Sequence, residues 1–406
     1  MPPRSHVDPH GSRSVREVTM QRLLRHVAAL QGEASQARIA KLARLSPATV
    51  STLIRELQAQ GAVGISDDTA GRRGQRITVR ELPGLAIGVE LGQDHIAVCV
   101  RALAQSKTVF AESSDSGADR RGTWLETTIR LITELIEEHG LDGEPIISAG
   151  LGIPAPVLPG TGEIFTPAIL HGWEGARPGQ QLSNALTAPV AVDNEANLAA
   201  YAEYLYGAGR DTASMIYLKM SLGVGSGIVT DGRIMRGWRG VAGEVGHLSM
   251  DPAGLVCRCG NRGCLETLIS SAYLLEQATV AHRGFGRSEA PATIEDLIAS
   301  ANRGDPASNR IFRDAGRHIG RAIATFCIVI NPECVVLGGQ LGTHAGDLIM
   351  PPVRESFESF AIKEPSGPTC KIRTSELGEK APATGALAWG LLADTDYVTH
   401  PYARLS

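Results

Sequence analysis

Three cysteines and one histidine within eighteen residues constrain the fold of this chain more than any other feature of the sequence. His247 ends the segment Gly-Glu-Val-Gly-His, and Cys257, Cys259 and Cys264 follow it ten to seventeen residues later. One imidazole and three thiolates form the closed tetrahedral ligand set of a structural zinc site, which leaves no position for a reactive water. The alternative is three buried free cysteines beside an unrelated histidine. Four such ligands in one short segment favour the metal, and we predict a structural Zn²⁺ here.

The cysteine count and the distribution of apolar residues indicate the compartment. Seven cysteines in 406 residues are an odd number in a long chain, which suits a reducing environment better than a disulfide framework. No apolar run reaches about 18 residues, and His6, Asp8 and His10 stand where a signal peptide would be apolar. These observations predict a cytoplasmic protein without a membrane partner.

The net charge of −4 averages two segments of opposite sign. Residues 1–80 contain 13 Lys or Arg and 6 Asp or Glu, a net charge of +7. The remaining residues contain 26 Lys or Arg and 37 Asp or Glu, a net charge of −11. A chain of 406 residues is long enough for two or three domains. The charge pattern therefore predicts a basic N-terminal module joined to an acidic body.

The basic module begins with a polar arm and three helical segments. Residues 1–13 are rich in Pro, His, Gly, Ser and Arg, which predicts a disordered arm. Apolar residues at helical spacing predict helices over residues 15–30 and 36–43. Ser46 followed by proline is a strong helix start, and Gly61 is a natural end for this third helix.

Two short strand-like runs complete the module. Residues 62–66 and 76–80 flank a polar, glycine-containing segment, as the two strands of a wing would. Three helices followed by such a hairpin are typical of a winged helix-turn-helix domain, and we assign residues 14–80 to it. The fold and the charge favour DNA binding, although helix-turn-helix domains also mediate protein contacts.

The third helix separates an apolar stripe, which would pack against the first helix, from a face of small polar residues with one arginine. Such a face suits the major groove, where short side chains allow close approach and an arginine reaches a base or phosphate. Arginines at a wing tip suit a narrow minor groove. The alternative is a solvated helix and a charged hairpin. The predicted DNA contacts are Ala48, Thr49, Ser51, Thr52 and Arg55 on the helix, and Arg72, Arg73 and Arg76 on the wing.

The acidic body repeats one local pattern. A strand with a glycine turn that enters a hairpin occurs near residues 88–100 and again near 216–234. This repetition suggests two related α/β lobes around a cleft. We assign residues 84–194 together with 383–396 to the first lobe, and residues 195–382, which include the zinc segment, to the second.

Four carboxylate and amide side chains are placed to bind a polar ligand in that cleft. Glu244 and Glu266 flank the predicted zinc ligands, so metal binding would hold their carboxylates close together. Asn194 and Glu195 stand where a β-branched strand ends and a helix begins. Paired carboxylates beside the imidazole of His247 suit hydrogen bonds to neighbouring sugar hydroxyls. The alternatives are surface pairing of the glutamates with nearby arginines and a helix-capping role for Asn194.

Together these motifs resemble the ROK family of repressors and sugar kinases. The resemblance is carried by residues 150–156, 193–197, 223–227, 243–266 and 331–339. It implies an actin-like, two-lobed sugar kinase fold with a structural zinc, and members with an N-terminal winged helix resemble sugar-responsive transcription regulators. The sugar contacts that it implies are Asn194, Glu195, Glu244, His247 and Glu266, and the implied zinc ligands are His247, Cys257, Cys259 and Cys264.

The sequence departs from the pattern of the kinase members in two places. They carry Asp-x-Gly-Gly-Thr in the first phosphate loop, whereas residues 90–94 are Glu-Leu-Gly-Gln-Asp. Asp94 would place negative charge beside a bound phosphate. The kinases also use an aspartate as general base where this chain has Glu195, whose carboxylate extends one methylene further.

These departures favour regulation over catalysis. We predict a DNA-binding regulator, a repressor of carbohydrate genes, whose partners are operator DNA and a sugar in the cleft between the lobes. Paired operator half-sites imply a homodimer or homotetramer. The alternative is an active ATP-dependent sugar kinase with an added DNA-binding domain.

Overall fold

The computed structural model covers most of the chain. It describes residues 15–30, 34–66, 75–80, 83–104, 107–114, 120–159, 161–164, 173, 176–284, 290–362 and 370–392. The predicted arm at 1–13, Arg72 and Arg73 of the wing, and residues 393–396 of the predicted first lobe lie outside the described residues. None of the described helices combines the length and the apolar character that a membrane span requires.

The N-terminal unit contains the three helices and the hairpin that the sequence predicts. Ser35 accepts a hydrogen bond from the Arg38 amide at the start of the second helix, and Ser46 accepts one from the Thr49 amide at the start of the third. The two strands pair antiparallel, with Ser66 opposite Arg76. The elements are α1 (Val15–Ala29), α2 (Gln36–Ala43), α3 (Pro47–Ala59), β1 (Val63–Ser66) and β2 (Arg76–Val79).

The first body sheet has five strands in the order β5-β4-β3-β6-β7. The first three strands in sequence form an antiparallel meander, and the last two run parallel to β3. A helix packs on the meander. The elements are β3 (Leu85–Leu91), β4 (Ile96–Ala102), β5 (Thr108–Ser113), α4 (Arg120–Glu138), β6 (Ile146–Ile153), α5 (Pro178–Leu186) and β7 (Val190–Asn194).

The second sheet also has five strands, in the order β10-β9-β8-β11-β12. One long helix begins at Pro306, where the side chain of Asp305 caps it by accepting a hydrogen bond from the Ser308 amide. The elements are α6 (Glu195–Tyr206), β8 (Ser214–Met220), β9 (Val224–Thr230), β10 (Arg233–Ile234), α7 (Glu266–Ile269), α8 (Ser271–Gly284), α9 (Ile294–Asn302), α10 (Pro306–Val329), β11 (Cys334–Gly338), α11 (Gly339–His344), α12 (Gly346–Phe360), β12 (Lys371–Thr374) and α13 (Ala381–Leu392).

Two buried helices, α6 and α13, lie between the sheets. α13 packs on α6 and on the first sheet, while α6 also contacts β8 and β9 of the second. The approach of α13 requires glycine beneath it, because a Cβ on Gly150 would lie 1.8 Å from the Ala386 oxygen. The first turn of α6 therefore stands at the junction of the two lobes.

The winged helix-turn-helix unit shares a hydrophobic core with the body. Leu23 and Ile39 of the N-terminal unit belong to the same buried cluster as Leu205 and Leu391 of the body. Side chains of each unit also donate hydrogen bonds to main-chain oxygens of the other unit. Arg38 donates to Leu205 O, Arg101 donates to Ala28 O, and Tyr206 donates to Ala29 O.

Candidate effector cleft and metal cluster

The predicted zinc ligands come together in one cluster. Their four ligand atoms lie within 4.8 Å of one another. The Cys259 and Cys264 sulfurs are 3.7 Å apart, and His247 Nδ1 lies 3.5 Å from the Cys257 sulfur. A tetrahedral ion with Zn–S bonds of about 2.3 Å would hold its sulfurs about 3.8 Å apart. The residues therefore fit a tetrahedral metal ion.

The backbone around the cluster is folded by short bridges and one tight turn. The Cys257 amide donates to Asn261 O over 2.7 Å, and an isolated antiparallel bridge pairs Ser249 with Cys264. Gly263 has a φ of +59°, and a Cβ there would lie 1.6 Å from the Asp251 oxygen. The glycine in the metal motif thus allows the close approach that brings Cys264 under His247.

His247 joins the metal cluster to the cleft. Its Nδ1 faces the Cys257 sulfur, while its Nε2 lies 3.9 Å from a Glu244 carboxylate oxygen. Burial lowers the pKa of His247, which favours the neutral imidazole that metal binding needs. Burial also raises the pKa of Glu244 to about 7, against the opposing charge of Arg258. One ring nitrogen is therefore directed to the cluster and the other to the cavity.

The cleft cavity is lined by four of the five predicted sugar contacts, namely Asn194, Glu195, Glu244 and His247. The fifth predicted contact, Glu266, does not line the cavity. Its carboxylate accepts hydrogen bonds from Arg258 Nη2 over 2.7 Å and from the Val224 amide over 3.0 Å. Arg258 itself lines the cavity. The structure thus brings four predicted residues to the cavity and covers the fifth with the arginine.

Asn194 caps a helix and lines the cavity at the same time. Its side-chain oxygen accepts hydrogen bonds from the amides of Ala196 and Asn197, and its amide nitrogen donates to Ala155 O over 3.2 Å. The alternative role of Asn194 as a helix cap is therefore correct, and it does not exclude a place in the cavity wall. It holds Asn194 rigidly at the N-terminus of α6.

An ion pair that sequence reasoning missed supports this turn. One oxygen of buried Asp193 accepts from the Asn194 amide and from Asn197 Nδ2, over 2.8 and 3.0 Å. The other accepts from Arg236 Nε over 2.7 Å. The Arg236 guanidinium lies 4.5 Å from the centre of the Trp389 ring on α13. Arg236 therefore ties the second-lobe hairpin to the end of β7.

A second missed group lies at the base of the cleft. Lys219 Nζ is 2.9 Å from Glu90 Oε1 and 2.8 Å from Glu195 Oε2. His95 Nε2 approaches the other Glu90 oxygen to 3.5 Å. The available signal was a lone lysine, and a lone glutamate, within otherwise apolar buried strands.

The ionisation of this group follows from burial and from the shared ammonium. Burial opposes charge on Glu90, but Lys219 and His95 outweigh it and lower the pKa of Glu90 to about 2. Burial raises the pKa of Glu195, despite the nearby Lys219, since Glu90 adds like charge. The desolvation of Lys219 is outweighed by the two carboxylates, which raise its pKa. The lysine therefore stays charged.

The predicted DNA-contacting residues that the structure describes lie on α3 and at the start of β2 in the N-terminal unit. The apolar stripe of α3 is fully buried. On the opposite face, Thr52 Oγ1 donates to Ala48 O, and Arg55 Nε donates to Ser51 O over 3.3 Å. The exposed residues are Ala48, Thr49, Thr52 and Arg55, and the half-buried ones are Ser51 and Arg76.

Sequence comparison matches the chain to a protein family and to a repressor. A profile described as the ROK family matches residues 86–392. The N-acetylglucosamine repressor of Escherichia coli O6:H1 is 29% identical over 341 residues, which cover 82% of each chain.

Solved structures of both a regulator and a kinase resemble this chain. A ROK family transcriptional regulator, a homolog of the E. coli MLC protein, superposes with a TM-score of 0.72 and 25% identity, over 94% of this chain and 98% of that one. A ROK family glucokinase from Streptomyces griseus, in complex with glucose and AMPPNP, superposes with a TM-score of 0.66 and 26% identity. The match covers 76% of this chain and 99% of the glucokinase. The expected two-lobed fold with a winged helix-turn-helix is confirmed. The chain belongs to the ROK family.

Proposed function

We propose that this protein is a sugar-responsive, DNA-binding transcriptional regulator that represses genes of carbohydrate metabolism. One observation carries the proposal. The helix α6 begins in the cleft with Glu195 and ends against the winged helix-turn-helix unit with Tyr206. Similarity to an N-acetylglucosamine repressor and to a transcriptional regulator of nearly the same length supports this function.

The sugar binds between the lobes in this proposal. Glu195 and Glu244 offer hydrogen-bond acceptors to hydroxyls, the second amide hydrogen of Asn194 offers a donor, and the cavity-facing nitrogen of His247 offers one more polar contact. Glu266 joins them once Arg258 moves aside. Zn²⁺ held by His247, Cys257, Cys259 and Cys264 would keep the loop that carries these groups in place.

The DNA is bound by the exposed face of α3 and by the wing. Ala48, Thr49, Ser51, Thr52 and Arg55 read the major groove, and Arg76 contacts the backbone near the wing. Arg72 and Arg73 remain predicted wing contacts. Two such units in a homodimer or homotetramer would match paired half-sites.

Sugar binding changes DNA affinity by moving α6. A ligand shifts an equilibrium only by its differential affinity for the two states. Contacts at both ends of α6 let a change at Glu195 displace Leu205 and Tyr206, and with them Arg38 and Ala29 of the N-terminal unit. The position of the recognition helix then depends on the ligand.

The second candidate function is an ATP-dependent sugar kinase with an added DNA-binding domain. The similarity to a glucokinase favours it, as does the position of Glu195 in the cleft. The ion pair of Glu195 with Lys219 argues against it, because the ammonium lies 2.8 Å from one Glu195 oxygen and competes with a substrate hydroxyl for that carboxylate.

A selection from random duplex DNA, followed by fluorescence anisotropy with and without sugars, tests the regulator. The panel contains D-glucose, D-xylose, N-acetyl-D-glucosamine and the 6-phosphates of the two hexoses. We expect one sugar to change affinity for the selected site by about 5- to 150-fold. Glu195→Gln should weaken the binding of that sugar by about 10- to 100-fold, since the substitution removes a charge-assisted hydrogen bond.

Three comparisons control this experiment. Glu112→Gln, an exposed substitution at the same cavity, should leave sugar binding unchanged. Arg55→Ala should weaken the selected site more than random DNA, whereas Arg76→Ala should weaken both alike. Sugar binding with no effect on DNA affinity would contradict the switch. ADP release from ATP and sugar that is lost in Glu195→Gln would instead support the kinase.

A further inference from the structure

Two carboxylates and one ammonium meet at the base of the cleft, each from a different element. Glu90 lies near the end of β3, Glu195 begins α6, and Lys219 lies near the end of β8. The Lys219 nitrogen stands 2.9 Å from one carboxylate and 2.8 Å from the other. The three side chains are at most 10% exposed. The ammonium therefore occupies the space between the two acids.

Two buried carboxylates that converge from separate elements are the donors that hard divalent cations prefer. Without a positive charge between them, they would repel each other and one would be protonated. Nucleoside triphosphates, for their part, are held in kinase sites through Mg²⁺ that bridges phosphate oxygens and protein oxygens. A cation between Glu90 and Glu195 is thus an electrostatic need of the protein, and a divalent ion is the kind of cation that nucleotide binding requires.

We propose that Lys219 is a permanent internal cation that fills the position between Glu90 and Glu195 where a nucleotide-bound divalent ion would otherwise bind. Lys219 is thereby a specificity-determining residue. It keeps both carboxylates in place for a neutral sugar and denies their shared position to a metal–nucleotide. This inference depends neither on DNA binding nor on the identity of the sugar.

The same ammonium joins the two body sheets. Glu90 belongs to the first sheet and Lys219 to the second, so their contact spans the cleft. A divalent ion in its place would need both carboxylates within about 2.1 Å of the ion, closer than they stand to the lysine nitrogen. Lys219 therefore excludes the ion by charge and by occupancy.

Removal of the lysine should uncover the ion site. Lys219→Met keeps an unbranched apolar side chain that ends one atom short of the ammonium position and carries no charge. We expect this variant to bind one additional Mn²⁺ per chain, at least about tenfold more tightly than wild type, because the positive charge that occupies the ion position has been removed. The full-length protein is titrated with Mn²⁺, and the free ion is counted by electron paramagnetic resonance.

Matched variants assign the new site. Lys219→Met combined with Glu90→Gln should lose the additional Mn²⁺, while Lys219→Arg should behave like wild type. A folded Lys219→Met or Lys219→Gln with no gain in Mn²⁺ affinity would overturn the proposal. Wild-type protein that binds Mn²⁺ at a site lost in Glu90→Gln would overturn it as well, even if no Lys219 variant folds. None of these outcomes depends on a response to DNA.

Discussion

The two ends of α6 lie in environments of opposite character. At the first turn, Glu195 pairs with the Lys219 ammonium, and Asn194 faces a cavity. At the last turn, Tyr204, Leu205 and Tyr206 lie among apolar side chains of the N-terminal unit and the body. About 18 Å of helix separates the two ends. One end is held by charge, and the other by packing.

The partners of the two ends differ in how readily they can be replaced. In the cleft, the contacts of Glu195 and Glu244 join one side chain to another, so a ligand hydroxyl can compete for either carboxylate. At the domain boundary, Arg38 and Tyr206 join side chains to main-chain oxygens, which remain where the fold places them. The cleft is therefore suited to change with a ligand, and the boundary is suited to transmit that change. We therefore expect that a substitution at one end of α6 can disrupt the contacts there and leave those at the other end intact.

The largest expected effect comes from Cys259→Ala, which should disable the cleft alone. Cys259 is exposed, so its loss removes one metal ligand without opening a cavity in a core. Structural zinc contributes about 10 kcal/mol or more to the folding of small domains, so the loop that carries Glu244 and His247 should lose its order. We expect loss of bound metal by elemental analysis and sugar affinity reduced by more than about 100-fold.

DNA affinity in the absence of sugar should be unchanged in Cys259→Ala, because the cluster does not belong to the core that the two units share. Cys370→Ala, which alters a half-buried thiol outside the cluster, serves as the control and should retain metal and sugar binding. A Cys259→Ala protein that keeps stoichiometric metal, or loses DNA binding together with sugar binding, would show that the regions are not separable.

Local signals predict the N-terminal unit and the metal cluster well. Ser35 and Ser46 mark their helix starts because capping depends on neighbours three residues away. The metal cluster was equally accessible, since its four ligands lie within one short segment. In α12, by contrast, Pro351 and Pro352 lie within the helix, where prolines would by themselves predict a break.

The ion pairs of the cleft could not be predicted in this way. Lys219 and Glu90 are 129 residues apart, and Arg236 and Asp193 are 43 apart, so no periodicity or motif connects them. Their partners are set by how the two sheets are placed against each other. The sequence therefore indicates which polar residues are buried, but not which of them meet.

Mild acid should weaken the boundary region while the base of the cleft stays intact. His26 on α1 is 1% exposed, and burial lowers its pKa to about 4, against the hydrogen bond with the Arg22 carbonyl oxygen, which raises it. The unfolded chain takes up a proton as the pH falls below about 6.5, but the folded chain does not until about pH 4. Stability is therefore lost as the pH falls, by about 2 kcal/mol between pH 7 and pH 5.

The pKa of Glu90 lies near 2, so its pair with Lys219 persists throughout that range. Urea unfolding of wild type and of His26→Gln, followed by circular dichroism at pH 7 and pH 5, measures the difference. The variant keeps a polar side chain at this position but cannot titrate there, so its stability should depend less on pH. Equal pH slopes for the two proteins would rule out His26 as the source of the acid sensitivity.

The smallest expected effect, and the most direct test of transmission, comes from Tyr206→Phe. The substitution removes the hydrogen bond to Ala29 O and leaves the ring in place. Such a bond contributes about 1 kcal/mol, so the change in DNA affinity caused by sugar should shrink by up to about fivefold. Sugar affinity in the absence of DNA, measured by isothermal titration calorimetry, should stay close to that of wild type.

Tyr204→Phe is the matched control for Tyr206→Phe, because its ring keeps the contact with Lys41, whose nitrogen lies 5.5 Å from the ring centre. It should preserve the full effect of sugar on DNA affinity. If both variants lose the response equally, the apolar packing of the last turn carries the signal and the hydrogen bond does not. If neither loses it, the end of α6 is not the route, and a second connection between the units, from Arg101 on β4 to Ala28 O, becomes the one to test.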